Sequence, residues 1–454
     1  MSADSTRIPA AAEGVLRGAG LLGGRVTIAL SGGLDSVVLL HCLTALAPSL
    51  GLEIGALHVH HGLSPNADNW ARFCSELCER FSVPFAQAIV AVDPDSGLGV
   101  EAAAREARYA VFRRQKVDAV ALAHHRDDQA ETVLLQLLRG AGVRGLSAMP
   151  PVRMLDALSG LRLVRPLLDV PRAAIRAYAR AHKLSWIEDE SNADPRFDRN
   201  FLRSEILPRL TQRFPAAAET LSRVALNHAD AQSVLDEVAA LDAQHAVTEE
   251  GLDVTVLAGL SAARARNLLR WFLEREGLRS SNREQLEEAL RQAVTARADA
   301  GLRIRVGDGW LRRHRGRLRV EADRPQLAVM WCVAWGGERE LRLPAGLGSI
   351  RFEQVVGTGL SLAGLRAANV VVKARAGSER MRLAPGRPSR TLKNLLRESA
   401  VPAWERDRLP LLFAGDALVW APGVGEDWRY AAVAGEAGVL PRWDRAELRG
   451  LSAE

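Results

Sequence analysis

Residues 30–36 read Leu-Ser-Gly-Gly-Leu-Asp-Ser, a run whose chemistry suits a chain of phosphates. Gly32 and Gly33 let the backbone approach a ligand closely and take up dihedrals that other residues avoid. Successive backbone N–H groups, with a helix starting after them, face an anion. The Ser31 and Ser36 hydroxyls add hydrogen bonds. Asp35 cannot hold a phosphate directly, but it can hold Mg2+. The run has no lysine, so it is not the GxxxxGK loop, and it is not GxGxxG either.

A second cluster is AHHRDDQAET at 123–132. Asp127, Asp128 and Glu131 are candidates for metal binding, ammonium binding or general-base duty. The doublet at 127–128 matters because adjacent carboxylates repel unless a cation sits beside them. His124 and His125 can neutralise phosphate charge or move a proton. Arg105 and Arg108 lie three apart on one helical face and could grip a phosphate bidentately. Blander roles stay open: Asp127 as a helix N-cap, Arg108 as a partner of Glu101 or Glu131, and His60 and His61 as strand caps.

These clusters need a scaffold. Short apolar runs at 25–30, 53–60, 85–92 and 119–123 read as strands. Helical patterns at 37–46, 66–81, 100–116 and 127–139 alternate with them. Such alternation implies a doubly wound parallel sheet, with ligands beyond the carboxyl ends of its strands. Residues 31–36, 58–62 and 124–128 all fall there. Helical patterns follow at 171–184, 216–246, 262–276 and 282–295. A basic hairpin is expected over 302–320, turning near Gly307–Gly309. The last part mixes strands at 370–374, 411–413 and 417–421 with one helix at 389–399. The expected division is a catalytic domain at 1–212, a mainly helical domain at 213–322, a connecting region at 323–368, and a small α+β domain at 369–454.

The 454 residues carry a formal charge of +6, and the pI is about 9.5. The distribution says more than the total. Residues 303–319 hold seven arginines and one aspartate, and residues 380–397 hold six basic residues and no acid. Such clusters suit a phosphate backbone. The four cysteines, Cys42, Cys74, Cys78 and Cys332, suit a reducing compartment and give no metal-site spacing. No signal-like start and no long uncharged apolar stretch is evident, so a cytoplasmic protein without a membrane partner is expected. Charge and length allow a monomer or a dimer.

SGGLDS at a first strand–helix turn resembles the pyrophosphate loop of the N-type ATP pyrophosphatases. HVHHGLSPNADNW (58–70), EAAAREARYAVF (101–112), AHHRDDQAET, RPLL (165–168), ESNADPRFDRNFLR (190–203) and residues 386–425 narrow the resemblance to the tRNA(Ile)-lysidine synthases. That resemblance implies ATP and Mg2+ as cofactors, and L-lysine and a tRNA(Ile) with a CAU anticodon as substrates. It implies an ATP site at Ser31, Gly32, Gly33, Leu34, Asp35, Ser36, His58 and Arg108. It puts catalysis at Asp35, Arg105, His124, Asp127 and Asp128, with Asp35 and Asp128 on the metal. It assigns tRNA contacts to Arg199, Arg203, Arg380, Arg387, Arg390, Lys393, Trp404, Arg406 and Arg408. The alternative within the superfamily is a tRNA thiolase, which would need cysteines to carry sulfur, and CxxC is absent. A purely RNA-binding protein would leave the phosphate loop without a use.

Overall fold

The computed structural model describes residues 3–62, 64–92, 99–156, 159–188, 196–278, 282–297, 302–322, 331–344, 346–399, 401 and 403–444. The chain forms two compact units, Met1–Glu237 and Val238–Glu454.

The first unit is built on a six-stranded sheet. Its strands are β1 (Arg25–Ala29), β2 (Glu53–His60), β3 (Phe85–Ile89), β4 (Ala119–Ala121), β5 (Val152–Asp156) and β6 (Leu161–Val164). Their spatial order is β3-β2-β1-β4-β6-β5. All neighbours are parallel except the edge pair β5–β6. β4 is buried along its whole length, as a strand covered on both faces must be. The helices are α1 (Ala3–Gly18), α2 (Leu34–Leu50), α3 (Ala67–Arg80), α4 (Val100–Arg113), α5 (Arg126–Leu138), α6 (Val143–Leu146) and α7 (Arg172–Ala181). One face of the sheet packs with Ile8, Leu16, Leu40, Ile175 and Tyr178 of α1, α2 and α7. The other packs with Tyr109 and Phe112 of α4. The doubly wound α/β architecture expected from the alternation is therefore present.

Two features depart from the expected pattern. Helix α1 has no counterpart in it, because Pro9 inside the helix argues against helix locally. The helix forms because Ile8, Ala12 and Leu16, spaced by four, are completely buried. The hairpin β5–β6 adds an antiparallel edge to a parallel sheet, and β6 rather than β5 lies beside β4.

Beyond α7, α8 (Asp198–Phe201) passes through a π-helical turn (Leu202–Ile206) into α9 (Leu207–Arg213). Helix α10 (Ala217–Ala246) runs from the first unit into the second.

In the second unit, helices Val254–Gly259, Ala262–Arg275 and Arg283–Thr295 pack on a sheet that includes Arg303–Val306, Gly309–His314 and Arg317–Ala322. The basic segment is thus a three-stranded meander and not a single hairpin. Its second turn is at Arg315 and Gly316, both with positive φ (50° and 78°). The remaining strands interleave across residue 369. Cys332–Ala334 pairs with Val370–Lys373, and Ser349–Val356 pairs along its full length with Ala437–Asp444. The helix expected at 389–399 is Leu392–Glu398, preceded by a short strand, Arg390–Thr391. Among the described residues, no helix is long and apolar enough to cross a membrane.

Candidate active site

The sheet order reverses between β1 and β4, since β2 and β3 continue from one side of β1 and β6 from the far side of β4. The crevice at such a reversal is where ligands bind in open α/β sheets. The loop after β1 carries Ser31–Ser36, and the loop after β4 carries His124–Asp128.

The first loop is tied to itself by its serines. Ser36 Oγ–H donates to the Gly33 carbonyl at 2.9 Å and lies 3.1 Å from Ser31 Oγ. The Ser31 N–H donates to Ser36 Oγ at 3.3 Å. Gly32 has φ of 84°, a conformation that favours glycine, and a Cβ there would meet Ile187 Cδ1 at 2.8 Å, so the end of that side chain would have to shift. The segment after α7 braces this loop from outside: the Ile187 N–H donates to the Gly32 carbonyl at 2.9 Å. His58, almost fully buried, places Nδ1 2.9 Å from the Leu30 carbonyl. Burial lowers its pKa, and its contact is with the backbone at the root of the loop. Leu34 begins α2, and Asp35 follows in its first turn. Oδ1 of Asp35 is buried with no hydrogen-bond partner among the described residues.

His125 joins the two loops. Its ring is N-cap of α5: Nδ1 accepts from the Asp128 N–H at 3.4 Å, and the Asp128 carboxylate accepts from the His125 N–H at 2.9 Å. Nε2 stands 3.6 Å from Asp35 Oδ2 and 3.5 Å from Asp128 Oδ2. Burial works against a charge on this ring, but the hydrogen bond to Asp35 and the carboxylates of Asp128, Asp35 and Asp127 outweigh it and raise its pKa.

The doublet diverges. Asp127 accepts the Arg172 N–H at 2.9 Å, so it caps the first turn of α7 and not its own helix, whose N-cap is His125. Asp128 turns inward, where its Oδ1 accepts from Arg203 Nη2 at 3.0 Å. One turn on, the fully buried Glu131 accepts from Arg199 Nε at 2.8 Å and Arg203 Nε at 2.6 Å. The cations that settle the repulsion of these acids are therefore Arg199 and Arg203 themselves. The family resemblance assigns both to tRNA, and in the structure both guanidinium groups are turned onto carboxylates. Burial pushes the Asp128 pKa up, and His125, His124 and Arg199 outweigh it, so the pKa is lowered.

His124 is held by Arg165, a side chain the sequence offered only as part of RPLL. Arg165 Nε–H donates to His124 Nδ1 at 3.2 Å. Burial, with the positive charges of Arg165, Arg199 and Arg105, brings the His124 pKa down to about 3. Arg105 is exposed on α4, its guanidinium 5.1 Å from the Tyr109 ring centre. Arg108 donates to His61 Nε2 at 3.4 Å, and burial with that cation lowers the His61 pKa to about 4.

The basic residues of the second unit divide. Arg390 is engaged by both oxygens of Glu398, Arg380 donates to the Ser389 carbonyl at 2.6 Å, and Arg406 to the Val401 carbonyl at 2.9 Å. Arg387 and Lys393 are exposed, and Arg408 is half-buried. The Trp404 side chain lies outside the described residues.

A parallel sheet carrying a glycine-rich loop at its reversal point, with an acidic helix opposite, defines a PP-loop protein, and the PP-loop domain family matches residues 18–210. The TilS substrate binding domain matches residues 252–319, and the TilS substrate C-terminal domain residues 370–446. The chain belongs to the tRNA(Ile)-lysidine synthase family. It is 42% identical to the tRNA(Ile)-lysidine synthase of Nitrosomonas europaea, covering 95% of this chain and 94% of that one. It is 45% identical to that of Azoarcus sp. (strain BH72), covering 92% and 91%. Among solved structures, a U34-tRNA thiolase of Methanococcus maripaludis, with its 4Fe-4S cluster, has a TM-score of 0.41 at 18% identity, covering 49% of this chain and 78% of that one.

Proposed function

We propose that the protein is a cytoplasmic enzyme that ligates L-lysine to the 2-position of the wobble cytidine of a tRNA(Ile) with a CAU anticodon, consuming ATP. The cytosine 2-oxo oxygen is a poor leaving group. Its attack on the α-phosphorus of ATP expels pyrophosphate and gives an O-adenylated cytidine. The lysine ε-amine then attacks C2, AMP departs, and lysidine remains. The lysine side chain arrives as an ammonium with a reference pKa near ~10.4, so the site must help it shed a proton.

The observation that supports this reading most directly is the 3.6 Å approach of His125 to Asp35, which brings the phosphate loop and the acidic helix to one crevice. In this reading the Ser31–Ser36 loop takes the pyrophosphate portion. His124 and the exposed Arg105 and Arg108 face the triphosphate and the adenylate. Mg2+ fits Asp35, whose Oδ1 is buried and unpartnered among the described residues, a state that buried carboxylate oxygens rarely keep. Asp128 fits less well, since its oxygens already accept from Arg203 and the His125 N–H. The ion supplies neutralisation of phosphate charge when bound. The arginine meander at 303–319, with Arg387 and Lys393, is assigned to the RNA backbone.

The test is nucleoside analysis, by mass spectrometry, of a CAU-anticodon tRNA(Ile) transcript incubated with ATP, Mg2+ and lysine. Lysidine should form only with all three present and without any sulfur donor. Modified tRNA appearing without lysine, or only with a sulfur donor, overturns the reading.

A further inference from the structure

Arg165 is among the largest fully buried side chains of the protein, and the fold gives it a defined task. Its Nη1–H donates to the Pro150 carbonyl at 2.6 Å. Its Nε–H donates to Nδ1 of His124 at 3.2 Å. A guanidinium has five N–H groups, no acceptor and no accessible neutral form, so the nitrogen it donates to must carry no proton. A neutral imidazole has a single N–H, which then sits on Nε2. Protonating His124 at Nδ1 would set an N–H against an N–H beside a buried cation. The other charges acting on His124 are Arg199 and Arg105, which also disfavour a second proton, and Asp128, which favours one. A carboxylate or carbonyl in place of Arg165 would impose the opposite tautomer.

We infer that Arg165 is a positioning residue that locks His124 as the neutral Nε2–H tautomer, so that His124 gives a hydrogen bond to a substrate oxygen and does not accept a proton. The tautomer follows from the hydrogen bond alone. The identity of the oxygen, one on the α-phosphate of ATP or of the adenylate, rests on the ligation reading. A fixed, uncharged donor aimed at a phosphate oxygen stabilises charge that grows during transfer and keeps its proton throughout. The lysine proton must then leave by another group.

The experiment uses full-length protein labelled with 15N-histidine, with the His124 signals identified by their loss in His124→Gln. Two-bond 1H–15N spectra should show a bare Nδ1 and a protonated Nε2 from about pH 5 to about pH 8. A proton on Nδ1 in that range overturns the inference without any substrate being present. Arg165→Met, which replaces the buried cation by an apolar chain of similar length, should release the lock. A mixture of tautomers should appear, and turnover should fall about 100-fold with the KM for ATP little changed. An unchanged tautomer in folded Arg165→Met overturns the positioning role. In parallel, the amide of His124→Gln reaches the Nε2 position and keeps a donor there, while that of His124→Asn does not. Glutamine should retain at least about tenfold more turnover than asparagine. Equal losses overturn the donor role. If no variant and no wild-type sample makes lysidine, the ligation reading fails while the tautomer result stands by itself.

Discussion

Nε2 of His125 lies 3.6 Å from Oδ2 of Asp35, so the loop after β1 and the helix after β4 meet through one buried ring. The same ring caps α5 through Nδ1, and the position of the acidic helix is thereby coupled to the phosphate loop. The individual members of this site can be separated by experiment.

Asp35→Ala should abolish ligation, by at least about 100-fold in turnover, or roughly 2.7 kcal/mol in the barrier, while the fold stays intact. The motive is the unpartnered buried Oδ1. Steady-state kinetics and circular dichroism check it together. Near-normal turnover in a folded variant removes the case for a cation at Asp35.

Gly32→Ala should weaken ATP binding more than stability, because the added Cβ would lie 2.8 Å from Ile187 Cδ1 at a φ of 84°. Calorimetry with a non-hydrolysable ATP analogue is the measurement. Relief by Ile187→Ala in the double variant is the expected signature, and its absence would place the defect in the backbone angle alone.

Asp127 and Asp128 should part company. Asp127→Ala removes a helix cap on α7 and should cost about 1 kcal/mol of stability. Glu131→Ala removes the buried carboxylate that Arg199 and Arg203 share, leaving Asp128 as their acidic partner, and should cost about 3 kcal/mol. Asp128→Asn should block lysidine formation more than tRNA binding. Urea denaturation and filter binding report the two quantities. An Asp128→Asn protein with full activity would make the inner carboxylate purely structural.

The half-buried His124 gives a pH signature. Its folded pKa of about 3 lies below the ordinary 6.5, so the unfolded chain binds the extra proton between these values. Stability from this group is complete above about 6.5 and falls as the pH drops toward 3, by about 1.4 kcal/mol per pH unit for one proton. Denaturation of wild type and His124→Gln between pH 4 and pH 6 should show a shallower slope in the variant. Parallel slopes would mean that the ring is not held neutral.

Arg387→Ala with Lys393→Ala should lower tRNA affinity and flatten its salt dependence by about 2 in log–log slope, near 0.9 per phosphate. Arg390→Ala should do less, since Glu398 already engages that guanidinium. Unchanged salt dependence in the double variant would mark this face as solvated surface.

The alternation of strand and helix, and the placing of three loops at the strand ends, could be read in the sequence because each is a local pattern. The pairing of Ser349–Val356 with Ala437–Asp444 could not, because about eighty residues separate them and neither strand signals its partner. The same limit applies within the site. SGGLDS and the DD doublet announce themselves by type and spacing. Arg165, inside RPLL, and Ile187 act through contacts with residues far away in the chain, and nothing in the local sequence names those partners. Arg199 and Arg203 pair with Asp128 and Glu131, carboxylates about seventy residues earlier, and nothing local to their own segment announces those partners.

The cap that Asp127 places on Arg172 closes a ring of linkages. From Asp35 the path runs through His125 to α5, through Asp127 to the start of α7, down that helix and along the turn after it to Ile187, and from the Ile187 N–H back to Gly32. The turn at 182–186 lies outside helix and strand, and it sets how far the chain must reach to meet Gly32. The connection from Ala181 to Ile187 should therefore tolerate substitution but not a change of length. One residue added or removed there would move the Ile187 N–H off the Gly32 carbonyl and leave the phosphate loop without its brace, although no residue that touches a substrate had been altered.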